Sequence, residues 1–402
     1  MKYFVVILGM ILTSSLSACQ DPIQKPPDNN DLDILWKATI SPSLLEGKFP
    51  KVVYKNTVVS HGWKNGKFAL LAFDKNTGKE LWTWNDTFTR NDGSAHNAQT
   101  EFIHVFDNVL IWRNVNRVYG INLDNGTTAW KERFEGSGFL ADYLSGLGNR
   151  FLFNTRHPLY FAGTVKQGNI QRLSLPLQFA ERTQHDASFL FLNTPPNVLE
   201  NAALNDTIAV LPFGIPITGQ VAIGFTVFNL TQNKEIYTKT IPGDNIGAFG
   251  PPPLLHNGTL YFDAGPWIHA FDLKTGNKLW SERFPSQFSF SGIIYYDGMI
   301  IGNCEDTFMY ALDAKTGKQL WATKTSGTSS RLFEMNGVIY FTGGGDGLLH
   351  AVDAKTGRHI WKKESPDESR FNGAWFFDSV TGADGKIYVS SYISLFCYKA
   401  AR

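Results

Sequence analysis

The sequence predicts an all-β protein built from repeated, four-stranded antiparallel sheets. The chain has 402 residues, among them 37 glycines, 31 phenylalanines and 11 tryptophans. Turn-forming residues recur about every ten positions, and no long stretch shows the 3.6-residue period of an amphipathic helix. Aromatic and β-branched residues between frequent turns are typical of short strands. The chain is long enough for these strands to enclose a large core.

Opposite charges are almost balanced along the chain. Lys and Arg together number 37, Asp and Glu together number 36, and the formal net charge is +1. Such a balance provides no general attraction to nucleic acid or to anionic lipid. We therefore predict no nucleic-acid partner.

Residues 1–18 have the organisation of a signal peptide. Lys2 precedes an apolar run from Tyr3 to Leu12, and small residues then lead to Leu16-Ser17-Ala18-Cys19. The run is shorter than a membrane-spanning helix requires, and its order matches that of a secretory signal. An ordinary secretory signal, in which the cysteine has no role, is the alternative interpretation.

The four residues that end with Cys19 resemble the lipobox of bacterial lipoproteins. That resemblance implies that the Cys19 thiol carries a diacyl (palmitate-type) lipid and that Cys19 becomes the new N-terminus, anchored to a membrane. Residues 19–31 are polar and contain prolines, so we expect a flexible tether. Since Gln20 stands where Asp would retain a lipoprotein in the inner membrane, the resemblance implies an outer-membrane protein that faces the periplasm.

Tryptophans recur at intervals that are typical of repeat proteins. Trp82, Trp130, Trp280, Trp321 and Trp361 each follow a Thr-Gly or Asn-Gly pair, at intervals of 48, 150, 41 and 40 residues. Periods of about 40–50 residues indicate propellers and related arrays. The long interval divides into three steps and leaves room for two degenerate repeats. One ends at 234–241, with Tyr237 in the tryptophan position, and the other ends near 170–177.

An eighth repeat is divided between the two ends of the chain. Trp36 lies 46 residues before Trp82, but the segment that should precede it is found at 394–402, where Cys397 takes the position of Ala311. A closed ring explains this division, because the first strand can complete the last sheet. We predict an eight-bladed β-propeller over residues 32–402, closed by pairing of the N-terminal strand with the C-terminal blade. A closed ring needs no second chain, so a monomer is expected.

Each repeat contains a turn whose residue types indicate how it is stabilised. In the stretch from Ala351 to Gly357 the Asp353 carboxylate can bond the turn backbone, and Gly357 supplies a positive φ. An indole at one fixed position after this turn is best explained by packing between neighbouring sheets, with its N–H on a backbone carbonyl. A functional ladder of aromatic rings is the alternative. The predicted structural positions are Trp36, Trp82, Trp130, Trp280, Trp321 and Trp361.

The repeated pattern Ala-x-Asp-x-x-Thr-Gly-x-x-x-Trp also carries a family resemblance. It is intact at 72–82, 270–280, 311–321 and 351–361, and it resembles the tryptophan-docking repeat of the quinoprotein-like propellers, also described as PQQ-like repeats. Two branches of these propellers matter here, the PQQ-dependent dehydrogenases and the BamB lipoproteins of outer-membrane protein assembly. The lipobox and the ring of repeats resemble the BamB layout most closely.

An enzymatic site finds little support in the sequence. The resemblance to the dehydrogenases would imply PQQ, a Ca²⁺ held by oxygen ligands, an Asp base and often a disulfide of adjacent cysteines. The three cysteines, at 19, 304 and 397, are not adjacent, and no motif indicates zinc or an activated serine. Four acidic residues could gather at the ring axis but lack ordered spacing: Glu101, Asp142, Glu334 and Asp378. We predict no catalytic residue, no PQQ, no calcium and no other metal.

Two further features have plain structural explanations. His269 and His350 occupy the strand position that Tyr310 holds in another repeat. The run from Gly343 to Gly347 could be mistaken for a phosphate-binding loop, but such a loop needs a helix behind it. Here a strand follows, so we predict a hairpin turn.

The least regular part of the ring suggests where partners bind. The repeat pattern disappears between Glu135 and Gly219, most clearly at 171–200, and loops that depart from a repeat are common binding surfaces. Divergence of two blades without a function is the alternative. We predict a lipid-anchored, non-catalytic scaffold for protein interactions, for which the resemblance implies work with the β-barrel assembly machinery. A PQQ-dependent or other ligand-binding enzyme and a surface lipoprotein that binds polymer are the alternatives.

Overall fold

The computed structural model describes most of the chain after the predicted tether. The described residues are 34–42, 50–89, 103–114, 117–133, 144–154, 160–172, 197–201, 206–217, 220–232, 234–241, 253–288, 291–367, 375–376 and 378–402. The predicted signal peptide, Cys19, Gln20 and the tether lie outside these residues. Within the described part of the chain no helix is long and apolar enough to cross a membrane.

Within the described residues, thirty-two strands form eight antiparallel sheets of four strands, which are the blades. Blade 1 contains β2 (Val52–Tyr54), β3 (Thr57–Lys64), β4 (Lys67–Asp74) and β5 (Glu80–Trp84). Blade 2 contains β6 (His104–Phe106), β7 (Val109–Asn114), β8 (Arg117–Asn122) and β9 (Thr128–Arg133). Blade 3 contains β10 (Leu144–Leu147), β11 (Arg150–Asn154), β12 (Tyr160–Thr164) and β13 (Gly168–Arg172). Blade 4 contains β14 (Asn197–Asn201), β15 (Asp206–Ile217), β16 (Gln220–Asn229) and β17 (Lys234–Ile241).

The remaining blades repeat the same order. Blade 5 contains β18 (Leu254–His256), β19 (Thr259–Ala264), β20 (Trp267–Asp272) and β21 (Lys278–Arg283). Blade 6 contains β22 (Ile293–Tyr296), β23 (Met299–Asn303), β24 (Phe308–Asp313) and β25 (Gln319–Lys324). Blade 7 contains β26 (Phe333–Met335), β27 (Val338–Thr342), β28 (Leu349–Asp353) and β29 (His359–Lys363). Blade 8 contains β30 (Thr381–Ala383), β31 (Lys386–Ser390), β32 (Ser394–Lys399) and, as its outer strand, β1 (Ile34–Thr39).

The blades form a propeller, in which the first strand of each blade lies on the inside of the ring. Neighbouring first strands contact one another, as β6 contacts β10, β10 contacts β14, and β26 contacts β30. Strand β30 of blade 8 also contacts β2 of blade 1. The predicted eight-bladed ring is therefore confirmed, and both degenerate repeats form complete four-stranded blades.

The ring closes through pairing of the two chain ends. Strand β1 pairs antiparallel with β32, and Trp36 lies opposite Cys397. In blade 6 the corresponding partners are Trp321 and Ala311. The register is the same in both blades, so the prediction that the N-terminal strand completes the C-terminal blade is confirmed.

The core lies between the blades. Between blades 1 and 2, for example, fully buried Trp84, Trp112 and Tyr119 pack together, and the rings of Trp112 and Tyr119 stack with their centroids 5.1 Å apart. Each buried aromatic side chain removes a large apolar area from water. Burial between neighbouring blades thus stabilises the ring as a whole.

Candidate functional site: the loop face

The ring has two faces with different connections. In a four-stranded antiparallel sheet, the connection between strands one and two lies at the same end as that between strands three and four. We call this end of the ring the turn face. The connections between strands two and three, and those from one blade to the next, lie at the other end, which we call the loop face.

The turn face carries the Asp-x-x-Thr-Gly turns. In blade 6, Asp313 Oδ1 accepts hydrogen bonds from Thr316 Oγ1 at 2.7 Å and from the Thr316 N–H at 2.8 Å. These bonds, together with that of the Lys315 N–H, hold the pKa of Asp313 below its ordinary value. Gly317 follows with φ of 74°. The charged carboxylate therefore fixes the turn backbone.

Tryptophans of one blade dock against the turn of the next. The Trp280 indole lies under Gly317, where an added Cβ would come 2.6 Å from Cε3, and Trp280 Nε1 donates to Ala314 O at 3.0 Å. Only glycine leaves room for the ring at this turn. Three more indoles donate to the corresponding carbonyls: Trp36 to Lys75 at 3.0 Å, Trp82 to Leu123 at 3.2 Å, and Trp130 to Val165 at 2.7 Å.

Four joints depart from this geometry. Trp321 lies under Gly357 and Trp361 is buried beside Tyr340, but neither indole N–H has a hydrogen-bond partner among the described residues. Tyr237 takes the tryptophan position in blade 4, and its hydroxyl donates to Leu273 O. In blade 3 the position opposite Ala162 belongs to Gln171. All six predicted tryptophans thus lie at joints between blades.

On the loop face a buried ion pair joins the last blade to the first. Lys51 Nζ lies 3.3 Å from Asp378 Oδ2 and donates to Ser379 O at 2.9 Å. The two charged side chains are 0% and 3% exposed, and His61 Nδ1 lies 4.0 Å from the same carboxylate. Burial lowers the pKa of Lys51, although Asp378 opposes that effect. The pair therefore stabilises the closure of the ring, and we call Lys51 and Asp378 the loop-face latch.

Asp367 provides a second contact at the closure. Its carboxylate lies 2.6 Å from Lys37 Nζ on β1 and accepts hydrogen bonds from Ser394 Oγ at 3.0 Å and from Ser391 Oγ. Asp367 precedes blade 8, whereas Lys37 lies on the N-terminal strand. The carboxylate thus holds β1 to the rest of its blade.

Buried polar side chains of blades 6 and 7 bond to nearby loops. Asn303 Nδ2 donates to Ser326 O at 2.6 Å and to Ser329 Oγ at 2.7 Å. His350 Nε2 lies 3.1 Å from both carboxylate oxygens of Asp346. Burial lowers the pKa of His350, and Asp346 counteracts it. These contacts position loops and leave the imidazole buried.

The two described acidic candidates lie on opposite faces. Glu334 accepts a hydrogen bond from the Gly337 N–H at 2.7 Å on the turn face, whereas Asp378 lies on the loop face. Glu101 and Asp142 lie outside the described residues. In the described part of the chain, no three His, Cys, Asp or Glu side chains group so that they could hold a metal ion. Glu334 and Asp378 therefore do not share a site, and the absence of calcium and PQQ stays a prediction.

The cysteines and the glycine run lie where the sequence suggests. Cys304 follows β23 in blade 6 and Cys397 lies in β32 of blade 8; both are buried and free, and burial raises the pKa of each thiol to about 12. Gly343–Gly347 connects β27 to β28, so a strand follows it rather than a helix. His269 and His350 lie one residue before the alanines that face Trp280 and Trp361.

One loop-face feature goes beyond the sequence analysis. Strands β15 and β16 have 12 and 10 residues, whereas β27 and β28 have five each. Among the described residues, 215–217 pair with 220–222 alone, because β14 ends its pairing at Val210 and β17 ends its pairing at Ile223. We call residues 215–222 the ribbon. The apolar residues around Thr218-Gly219 are its sequence signal. Most of the predicted surface at 171–200 lies outside the described residues.

Repeat and ring together define the class of protein by its fold: the chain is an eight-bladed β-propeller whose repeats resemble the PQQ-like repeat. The family model described as outer membrane protein assembly factor BamB matches residues 226–402. The chain thus resembles BamB in its C-terminal blades at the level of sequence. Comparison with curated proteins finds no sequence match.

Solved structures share the fold at low identity. BamB from Moraxella catarrhalis matches with a TM-score of 0.57 and 13% identity, over 91% of this chain and 98% of that chain. A quinohemoprotein alcohol dehydrogenase from Comamonas testosteroni matches with a TM-score of 0.65 and 12% identity, over 92% and 76%. The computationally designed Ika8 protein gives 0.62 and 13%, over 90% and 99%. A BamB, a dehydrogenase and a designed protein thus share one architecture, so the fold does not select a function.

Proposed function

We propose that the protein is a lipid-anchored, non-catalytic scaffold of the bacterial cell envelope, with a BamB-like role in the assembly of outer-membrane β-barrel proteins. The observation that carries this proposal is the match of residues 226–402 to the BamB family model. The lipobox-like Leu16-Ser17-Ala18-Cys19 adds an anchor at the outer membrane, on its periplasmic side. A partner from the β-barrel assembly machinery then binds the loop face.

The ribbon supports the choice of face. Its two strands continue past β14 and β17, so they project from blade 4 beyond the four-stranded sheet. An isolated two-stranded ribbon gains little stability from its own pairing. The ring does not need this extension, whereas a projecting element offers a partner its backbone edges.

Prolines restrict how a partner could add a strand. Pro212 and Pro216 lie in β15, and a proline has no N–H to donate to a further strand. The other edge of the ribbon, at 220–222 of β16, contains no proline. We therefore assign strand addition by a partner segment to the β16 edge.

The pairing of buried charges supports a scaffold over an enzyme. Lys51 is engaged by Asp378, and His350 by Asp346, within hydrogen-bonding distance. General acid–base catalysis needs a titratable group within reach of a substrate. Each of these groups instead contacts its partner within the protein, and the two pairs contribute to the shape of the loop face.

Affinity purification from cross-linked native membranes tests the proposal. The tagged full-length chain is compared with Cys19→Ala and with a variant in which residues 215–222 are replaced by Asn-Gly. That replacement keeps the pairing of Gly214 with Ile223 and closes it with a two-residue hairpin turn. Lys315→Glu on the turn face serves as the control for a surface change.

The expected result is recovery of a β-barrel assembly component with the parent chain and with Lys315→Glu. The yield should fall strongly in the ribbon variant at unchanged thermal stability, and should also fall in Cys19→Ala. Full recovery with the ribbon variant would place the contact elsewhere. Recovery of no assembly component, together with dehydrogenase activity after addition of PQQ and Ca²⁺, would replace the scaffold by an enzyme.

A further inference from the structure

A cavity opens on the loop face between blades 7 and 8. Its volume is about 200 Å³, and its walls come from Thr328, Ser330, Arg331, residues 342–344, 375–376 and 378–379, and Tyr392. These segments are the connection from blade 6 to blade 7, the loop between β27 and β28, the connection from blade 7 to blade 8, and the loop after β31. Four loops of neighbouring blades thus converge on one space.

An aromatic ring forms one wall. Trp375 is 39% exposed, and its indole lies against Gly347, where an added Cβ would come 2.5 Å from Trp375 Cγ. The next residue is fixed as well, because the Phe376 N–H donates to Gly347 O at 2.9 Å. The indole is therefore held in place on the loop backbone while part of it stays accessible to a ligand.

Hydroxyl groups with fixed positions provide the polar part of the cavity lining. Thr342 Oγ1 donates to Asp378 O at 3.0 Å, and Ser330 Oγ accepts from the Thr342 N–H at 3.0 Å. Thr328 Oγ1 donates to Glu305 at 2.9 Å. A hydroxyl oxygen can take part in more than one hydrogen bond, so these groups keep capacity for a ligand. Ser379 adds a further hydroxyl side chain to the lining.

The charged residues that line the cavity interact with partners in the protein. The carboxylate of Asp378 is paired with the Lys51 ammonium at 3.3 Å. The guanidinium of Arg331 interacts electrostatically with buried Asp263, whose pKa is raised by burial to about 7. A neutral ligand would leave both interactions in place.

We propose that this cavity binds one ring of a neutral saccharide. A volume of about 200 Å³ is below the roughly 300–1,000 Å³ of pockets for drug-sized ligands, so it suits a single ring. A pyranose has a C–H face that can pack on an aromatic ring and hydroxyls that can bond polar groups. In this cavity Trp375 suits the C–H face, and the Ser and Thr side chains suit the hydroxyls. Of the described lining residues none is Leu, Ile, Val or Met, so an aliphatic side chain of a partner would find little matching surface.

The site is independent of the scaffold function. It lies between blades 7 and 8, whereas the ribbon belongs to blade 4, and neither contains residues of the other. A saccharide site here would allow the propeller to contact a neutral glycan of the envelope while its ribbon engages a protein. Failure of either proposal leaves the other testable.

Fluorescence titration of the detergent-solubilised full-length chain provides the test. The probes are glucose, N-acetylglucosamine, a maltotetraose and a tetramer of N-acetylglucosamine, with an unfolded aromatic-rich peptide as the competing class. Because the chain has 11 tryptophans, the signal of Trp375 is obtained as the difference between the parent chain and Trp375→Phe. The binding variants are Trp375→Ala and Ser379→Ala, and Phe308→Ala is the control for an exposed loop-face aromatic residue.

Saturable binding of at least one saccharide, with a change in the Trp375 signal, is expected. Affinity should fall on the order of tenfold in Trp375→Ala, less in Ser379→Ala, and not in Phe308→Ala. If Trp375→Ala fails to fold, Ser379→Ala decides, since the hydrogen bonds that position Ser379 use its backbone. Absence of saccharide binding, equal affinity in all variants, or binding of the peptide alone would overturn the proposal.

Discussion

The turn face and the loop face are built by opposite means. On the turn face one short sequence pattern repeats, and an indole of one blade donates to the turn backbone of the next at four joints. On the loop face each contact is made once, as by Lys51 and Asp378, which are 327 residues apart. Repetition stabilises the ring, so the other face is free to vary. Binding is therefore expected on the loop face.

The largest expected effect is the loss of the indole that closes the ring. Trp36 is 7% exposed, packs on Tyr388 and Phe73, and donates to Lys75 O in blade 1. Trp36→Ala should lower the free energy of unfolding by about 3–5 kcal/mol, because it leaves a cavity at the only joint where the two chain ends meet. Denaturation with urea measures this. Leu35→Ala, at an exposed neighbouring position, should change the value by no more than about 0.5 kcal/mol.

The loop-face latch should contribute somewhat less. Asp378→Ala leaves the Lys51 ammonium buried without its carboxylate, but a lysine with a lowered pKa can release its proton and limit the cost. We expect a loss of about 2–3 kcal/mol in the free energy of unfolding. Asp384→Ala removes an exposed carboxylate, 66% accessible, from Lys75 on the turn face and should have almost no effect. Equal losses in both variants would show that the latch is no stronger than a surface pair.

Two glycines separate backbone strain from contact with tryptophan. Gly317 and Gly298 both have positive φ, at 74° and 81°, but an added Cβ meets the Trp280 ring only at Gly317. Gly298→Ala should cost about 1 kcal/mol for conformation. Gly317→Ala should cost about 1–3 kcal/mol more, because the indole must move. Thermal unfolding of both variants measures the difference, and equal values would contradict docking as the reason for this glycine.

The smallest effect concerns the charged turns. Hydrogen bonds from threonine hold the pKa of Asp313 below its ordinary 3.8 in the folded state. Its contribution to stability is therefore complete above about pH 3.8 and is lost as the pH falls through the lower, folded-state pKa. Asp313→Asn should destabilise the protein by less than about 1 kcal/mol at pH 7, and by less still at pH 2. Urea denaturation of both proteins at pH 7 and at pH 2 measures the difference, and an equal loss at the two pH values would contradict this contribution.

The repeat was predictable because its determinants are local. Asp, Thr, Gly and Trp stand within eleven positions of one another, as at 311–321, so spacing alone gave the blades, the register and the closure of Trp36 on Cys397. Even Tyr237 could be assigned, since an aromatic ring with a hydrogen-bond donor can replace an indole. Gln171 shows the limit of that reasoning, because a polar side chain in the same position has no such signal.

The loop face could not be predicted in the same way. Lys51 and Asp378 are brought together only by closure of the ring, and neither is part of a motif. The ribbon depends on where β14 and β17 stop pairing, which a run of apolar residues does not specify. The cavity beside Trp375 is formed by four segments, which are one loop each from blades 7 and 8 and two connections between blades. Single contacts between distant segments leave no periodic trace in one sequence.

Site-specific photo-cross-linking in cells tests directly whether a partner binds the loop face rather than the turn face. A photoreactive amino acid is placed at Gln220 in the ribbon and, in a separate variant, at Lys315 on the turn face. We expect an adduct between the Gln220 variant and a β-barrel assembly component, and no such adduct with the Lys315 variant. An adduct formed through Lys315 alone, or no protein adduct at either position, would contradict a scaffold that binds its partner through the loop face.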